Sequence, residues 1–178
     1  MKRMAVLMGV VMVMGLASLS IAGTTDSIYL RVTPVSNVSV NIVQTAYNYG
    51  TVDLYNATTV NTTAIEVKND GSVNANWQHK ADLQATGTVP WTLVYAGVAA
   101  STNEFRLWAD IADTQPGSFA DDAAHRVTTT NSNLSNGSNI APNPDTGKNL
   151  WIKLEMPWKA GDSSEHTATY TITATAVQ

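Results

Sequence analysis

The sequence predicts an all-β fold, built as a two-sheet antiparallel sandwich of about eight or nine strands with one long insertion. Apolar and polar residues alternate in segment after segment, and a helical period is almost absent. Turn-forming residues such as Asn69-Asp70-Gly71 separate these segments. The clearest segment runs from Thr167 to Thr175, where every second residue is threonine. One polar and one apolar face per strand is typical of antiparallel sheets.

The other predicted strands follow in chain order. The segments IYLRVT and VSVNIV flank Pro34, and their apolar faces carry Ile28, Leu30, Val32, Val38, Val40 and Ile42. Further strands are expected in residues 47–54, 63–70, 73–81, 91–96, 104–111 and 149–156. The alternation predicts that Trp77 lies in the core. We expect segment 149–156 to form a hairpin with the threonine-rich strand, because the two are consecutive in the chain.

Residues 1–22 have the pattern of a secretory signal peptide. Two basic residues precede the apolar run 4–19, and Ser20 and Ala22 occupy the small-residue positions of a cleavage site. The alternative is an uncleaved membrane anchor, but the apolar run is short for a span and no basic residues follow it. Cleavage would leave residues 23–178 as a single sandwich domain without a membrane span. We therefore expect a secreted protein, extracellular or at the cell surface, with the periplasm as the other compartment.

Composition restricts the partners of such a protein. Cysteine is absent, so its stability must come from the core, the sheet hydrogen bonds or association between subunits. Charged residues form 13% of the chain and the net charge is −4, so there is no basic surface able to hold a phosphate backbone. Nucleic acid is not an expected partner.

One part of the chain resembles a known family. YGTVDL followed by IEVKNDGSVNANW is similar to the opening of immunoglobulin-like sandwich domains of the major-sperm-protein and abnormal-spindle type. The matching positions are Tyr49, Gly50, Val52, Ile65, Val67, Asn69 and Gly71. This resemblance implies an immunoglobulin-like sandwich and no particular activity. A weaker resemblance, carried by WTL at residues 91–93 and by the threonine-rich segment, is to WxL cell-wall-binding domains, and it implies binding to peptidoglycan.

Residues that perform catalysis or bind metals are scattered. His79, His125 and His166 lie in different segments, and there is no cysteine to complete a zinc or copper site. The sequence SSEH at residues 163–166 lacks the spacing of a nucleophile with its base, and we interpret it as a polar turn. The sequence therefore predicts no catalytic residue, no metal site and no cofactor.

Three tryptophans give the strongest indication of a contact surface. Trp108 and Trp151 share their strand faces with charged residues, so both are predicted to point away from the core, and Trp158 follows in a loop. Exposed large aromatic side chains tend to mark contacts. Three explanations remain open: the insertion covers them, they form a subunit interface, or they stack on sugar rings.

The insertion, residues 112–148, is rich in turn formers and lacks a strand pattern. It is expected to be either a solvated loop or a recognition loop. Within it, SFADDAAHR could form a short helix with Ser118 as its N-cap.

These features predict a non-catalytic, exported protein with a structural or adhesive role at a cell surface, such as a filament or surface-layer subunit. The alternative is a carbohydrate- or cell-wall-binding module. The expected partners are another copy of the chain, bound through an edge strand, or a surface polysaccharide. Residues 28–43 either form the first edge strand of their own domain or are donated to the next subunit, and the sequence leaves this choice open.

Overall fold

A computed structural model describes residues 31–33, 35–55, 58–95 and 101–177. The chain divides into two compact units, Met1–Pro34 and Val35–Gln178. In the first unit the described residues 31–33 are all exposed. The signal-peptide prediction, and with it Ile28 and Leu30, lies outside the described residues.

The second unit is built of strands, and its described part contains no helix, so the all-β prediction is confirmed. The strands are β1 (Asn41–Ile42), β2 (Thr58–Val60), β3 (Ile65–Lys68), β4 (Ala75–Ala81), β5 (Gln84–Ala85), β6 (Trp91–Leu93), β7 (Glu104–Ile111), β8 (Ser132–Asn133), β9 (Lys148–Glu155) and β10 (Tyr170–Ala176).

These strands form two sheets. The larger has the order β1-β3-β9-β7-β6-β5, with β2 also paired to β9, and the smaller has the order β10-β4-β8. The expectation of purely antiparallel sheets is wrong at one place, because β6 and β7 run parallel. The larger sheet is therefore mixed.

The core lies on the alternating faces of the long strands. In β4, Ala75, Trp77, His79 and Ala81 are buried while the residues between them are half-buried. Trp77 is 1% exposed, which confirms its predicted place in the core. Val38, Val40 and Ile42 also pack against the core, and β1 pairs with β3, so this part of the N-terminal segment belongs to its own domain.

One buried side chain joins β2 and β3 along the same edge of β9. β2 pairs with residues 153–155 and β3 with residues 148–150, and the chain leaves the ladder between them. Asn61 is fully buried there; its Oδ1 accepts from the Ile152 N–H at 2.6 Å and its Nδ2 donates to the Leu150 carbonyl at 3.2 Å. The amide thus satisfies backbone groups that would otherwise be buried without partners.

The threonine-rich strand does not form the expected hairpin with β9. β10 pairs antiparallel with β4 over seven residues. The prediction is wrong because β9 has no free edge: β7 occupies one side, and β2 and β3 occupy the other. The predicted faces do hold, since Ile172 lies opposite His79 on the buried side and Thr173 lies opposite Gln78 on the outer side.

Residues 47–54, predicted as a strand, contain none. Gly50 has a φ of 70°, in the left-handed region, and this breaks the extended backbone. The segment is held by side chains instead. Tyr49 donates from its hydroxyl to the Ile152 carbonyl at 3.0 Å, and the Tyr47 and Tyr49 rings meet edge to face. Burial raises the pKa of Tyr49.

The insertion is packed into the sandwich rather than solvated throughout. Val127, Leu134 and Ile140 are buried, and β8 within it pairs with β4. The short helix expected after Ser118 is absent. The Asp122 carboxylate accepts hydrogen bonds from the N–H groups of Ala124 and His125, both at 3.0 Å, and this local bonding favours a turn over a helix.

Candidate functional site

Trp108 lies on β7 beneath a layer of charged side chains. The Lys153 Nζ lies 3.8 Å from the Trp108 ring centroid, and the Arg106 guanidinium carbon lies 5.0 Å from it. The indole N–H donates to the Asp121 carboxylate at 3.3 Å. Trp108 lies outside the core cluster that contains Leu107 and Ala109, as predicted, but it is 4% exposed, so the expectation of an exposed ring is wrong. The insertion supplies Asp121, which means that the insertion covers this ring.

The charges above Trp108 pair with one another. Arg106 donates to both carboxylate oxygens of Glu155, at 2.5 and 2.6 Å, and Arg126 pairs with Asp121. The hydrogen bond from Arg126 lowers the pKa of Asp121 to about 2, and desolvation lowers the pKa of Lys153. One ion pair links β7 to β9, the other lies within the insertion, and the hydrogen bond from Trp108 to Asp121 joins the two. Little of the Trp108 ring is left for a ligand.

Trp151 is also covered. Its indole N–H donates to the Ala112 carbonyl at 2.9 Å, and the residue is 7% exposed. Trp151 lies outside the core cluster, as predicted, but its expected exposure is wrong because the insertion covers it, the first of the three explanations left open. Alternation along a strand gives the face of a side chain, but it does not show whether a distant loop covers that face.

Trp158 has a different environment. It is 51% exposed, and its ring lies 5.4 Å from the ring of Tyr55, centroid to centroid, with the two planes tilted by 30°. Tyr55 is itself 73% exposed and is held by a hydrogen bond from its N–H to the Pro157 carbonyl at 2.9 Å. We call Tyr55 and Trp158 the exposed aromatic pair. The three predicted tryptophans therefore do not form one surface.

Sequence reasoning missed Tyr55 as the partner of Trp158. Residues 47–54 were expected to form a strand that ends just before it. Tyr55 instead has a φ of 75°, which turns the chain toward Pro157. No spacing rule connects these two positions, which are distant in the chain.

β10 is the longest strand at an edge of either sheet. β1, β5 and β8 end their sheets with two residues each, whereas β10 has seven. Within the described part of the chain, β4 is the one strand that pairs with β10. The sequence of β10, YTITATA, contains no charged residue, proline or glycine, and these are the residues that usually protect an edge from pairing with another chain.

The hydrogen bonds at both ends of β10 show which of its backbone groups face away from β4. The Thr169 carbonyl accepts from Asp82, and the Val177 N–H donates to Asn74. Since backbone groups alternate in direction along a strand, those of Tyr170, Ile172, Ala174 and Ala176 face the outer edge. We call this row of backbone groups the β10 edge.

The described residues of the N-terminal segment 28–43 lie in two different environments. Ile28 and Leu30 lie outside the described residues, while Val32 is 91% exposed and Val35 is exposed as well. Val38, Val40 and Ile42 pack against the core, as described above. The predicted apolar segment therefore has an exposed part and a packed part.

The histidines lie in separate local contacts. His79 is buried on β4, its Nδ1 lies 3.1 Å from the Tyr170 hydroxyl, and burial lowers its pKa to about 4. His166 stacks on Trp91 with a centroid distance of 3.8 Å, and its Nε2 lies 2.9 Å from the Asp162 carboxylate. Across the ranges that the structure describes, no three His, Asp or Glu side chains come together as a metal site.

Two further observations concern the chain as a whole. Among the described residues, no helix is both long and apolar enough to cross a membrane. Scans of the sequence and structure against protein-family models, curated proteins and solved structures find no match.

Proposed function

We propose that this chain is an exported, non-catalytic structural subunit of a cell-surface assembly, and that neighbouring copies join by adding a strand to the β10 edge. The observation that carries the proposal is this long, uncharged edge strand. An extended segment added there would pair its backbone with that of β10, as in other cases of β-strand addition. An immunoglobulin-like domain of the kind implied by the sequence resemblance would provide a suitable framework.

The incoming strand in this proposal is the segment around residues 28–33 of the next subunit. Its sequence, IYLRVT, alternates as a strand requires, and Val32 is exposed. The packing of Val38, Val40 and Ile42 against their own core favours donation of the residues before Pro34 rather than the whole segment 28–43. Head-to-tail addition of this kind produces a filament because the contact does not close on itself.

The apolar face of the donated segment provides the test. Replacing Ile28, Leu30 and Val32 by serine should give a folded monomer. The reason is that Val38, Val40 and Ile42, which pack against the core, are left unchanged. The control replaces Tyr29, Arg31 and Thr33, which lie on the other face of the segment, by serine as well. This control should still assemble. Sedimentation velocity and electron microscopy of the exported protein measure the result. Assembly by the first variant, or a wild-type protein that stays monomeric, would contradict the proposal.

A second candidate function is binding to a surface polysaccharide at the exposed aromatic pair. Two neighbouring rings with exposed faces offer a surface on which sugar rings can stack. Tyr55 is 73% exposed and Trp158 is 51% exposed, so both rings remain accessible to a ligand. This candidate corresponds to the carbohydrate- or cell-wall-binding alternative.

Trp158→Ala tests this second candidate. If the pair binds polysaccharide, the variant should lose retention on insoluble polysaccharide or peptidoglycan, because the substitution removes the larger of the two aromatic surfaces. Tyr95→Ala is the matched control, because Tyr95 is an exposed aromatic residue outside the pair. Equal retention of wild type and Trp158→Ala would exclude the pair as the binding surface.

A further inference from the structure

A cleft of about 600 Å³ opens where β3 and the end of β7 approach β4 and the segment 136–147. Ligand sites in proteins commonly have volumes of about 300–1,000 Å³. Its apolar lining comes from Val67, Trp77, Ile111 and Ile140. The cleft lies within the second unit and includes neither the exposed aromatic pair nor β10.

The cleft contains a buried donor without a partner. Trp77 lines it, and its buried indole N–H donates to no acceptor among the described residues. A buried indole N–H usually has an acceptor, and leaving it without one costs about 1–3 kcal/mol. Because Trp77 is only 1% exposed, this N–H reports on the cleft without being open to it.

The rim of the cleft carries amides and hydroxyls. Asn139 and Asn143 use their Oδ1 atoms as acceptors within the protein, so their Nδ2 groups remain as donors. Asn136 uses its Nδ2 as a donor to Asp110 and Ile111, so its Oδ1 remains as an acceptor. The Ser138 and Thr146 hydroxyls also line the cleft, and no described residue hydrogen-bonds to either.

Charge adds a further restriction on the ligand. One acidic residue, Asp113, and one basic residue, Lys148, line the cleft, so it carries no excess of either sign. A strongly anionic or cationic ligand would find no excess of opposite charge in the cleft. Closely spaced donors and acceptors suit a group that is both at once, which is the property of a hydroxyl.

We infer that this cleft binds a neutral, polyhydroxylated ligand, a sugar residue of a surface glycan, whose hydroxyls meet the amides and hydroxyls of the rim above Trp77. Ile111 and Ile140 pack against the apolar side of the sugar ring. The inference does not depend on assembly at the β10 edge, because the cleft belongs to one subunit.

The Trp77 indole gives a direct readout. In a ¹H–¹⁵N spectrum of the mature chain with Ile28, Leu30 and Val32 replaced by serine, the variant expected to stay monomeric, the Trp77 N–H signal is assigned by its loss in Trp77→Phe. Methyl glycosides of glucose, galactose, mannose and N-acetylglucosamine are titrated at millimolar concentrations. At least one should shift the Trp77 signal and saturate, because a ligand bound in the cleft changes the environment of the indole ring that lines it.

Variants of the rim test whether its hydroxyls take part in binding. Ser138→Ala combined with Thr146→Val should weaken binding of that glycoside about tenfold, the effect of losing roughly 1.4 kcal/mol of hydrogen bonding. Ser163→Ala, an exposed serine outside the cleft, is the control and should leave the affinity unchanged.

Three results would overturn the inference. The first is that no glycoside shifts the Trp77 signal. The second is a shift confined to Trp158, which would place sugar binding at the exposed aromatic pair. The third is a shift of Trp77 by a peptide of residues 24–34 and by no glycoside, which would make the cleft a contact between subunits.

Discussion

Asn61→Ala is expected to lower the free energy of unfolding by about 3–5 kcal/mol. The substitution leaves the Ile152 N–H, the Leu150 carbonyl and the Thr63 carbonyl without the side-chain amide that bonds to them. A buried backbone group without a partner costs about 1–3 kcal/mol. The effect is large because this one amide bonds to several backbone groups in the gap between the β2 and β3 ladders on β9.

Urea denaturation of wild type and variant measures this change. Asn74→Ala is the matched control, since Asn74 is an exposed asparagine whose amide donates to Asn139, and it should stay within about 0.5 kcal/mol of wild type. Equal effects of the two substitutions would show that Asn61 does not join the strands as described.

Trp108→Ala should cost about 3–5 kcal/mol, the usual loss when a large buried aromatic side chain is truncated. The ring fills the space between β7 and the insertion, and without it the Lys153 ammonium loses its nearest aromatic face. Asp121 also loses a donor. The insertion should then detach from β7 before the rest of the sandwich unfolds.

Trp158→Ala provides the comparison, because the same side chain is removed from a half-exposed position. We expect this variant to unfold within about 0.5 kcal/mol of wild type. Thermal unfolding followed by circular dichroism distinguishes the two. If Trp158→Ala is as destabilising as Trp108→Ala, the assignment of covered and exposed tryptophans is inverted.

Strands with strict alternation were predictable from the sequence. β4, β7, β9 and β10 all lie within segments where apolar and polar residues alternate, and period two fixes which side chains share a face. The predicted burial of Trp77 follows from this pattern alone. These long strands carry most of the core.

Pairing between strands was less predictable. Neighbours in sequence usually pair, and this favoured a hairpin of β9 with β10. The rule failed because β2 and β3 return to the free side of β9, and nothing in their sequences specifies that choice. Backbone conformation was also hard to predict at Gly50. YNYGTVDL alternates as a strand does, but its glycine takes a left-handed conformation that ends the extended backbone.

The candidate sites depend on long-range contacts. Trp108 and Trp151 have charged neighbours in the sequence, which suggested exposure, yet the insertion brings Asp121 and the Ala112 carbonyl to their indole groups. The pairing of Tyr55 with Trp158 joins two loops that are distant in the chain. The cleft beside Trp77 likewise combines residues of several strands with segment 136–147.

The proposed assembly depends on the outward N–H groups of β10, and a single proline tests them. Ala174 has its N–H on the β10 edge, so Ala174→Pro removes one outward donor while the hydrogen bonds to β4 remain. Ala174→Val is the control, because it adds similar bulk and keeps the N–H. Thermal unfolding of both variants checks that the domain stays folded.

Electron microscopy of the mature protein, together with its sedimentation coefficient, then gives the decisive measurement. We predict filaments from wild type and from Ala174→Val, and folded monomers from Ala174→Pro. Filaments of normal length from Ala174→Pro would contradict strand addition at the β10 edge.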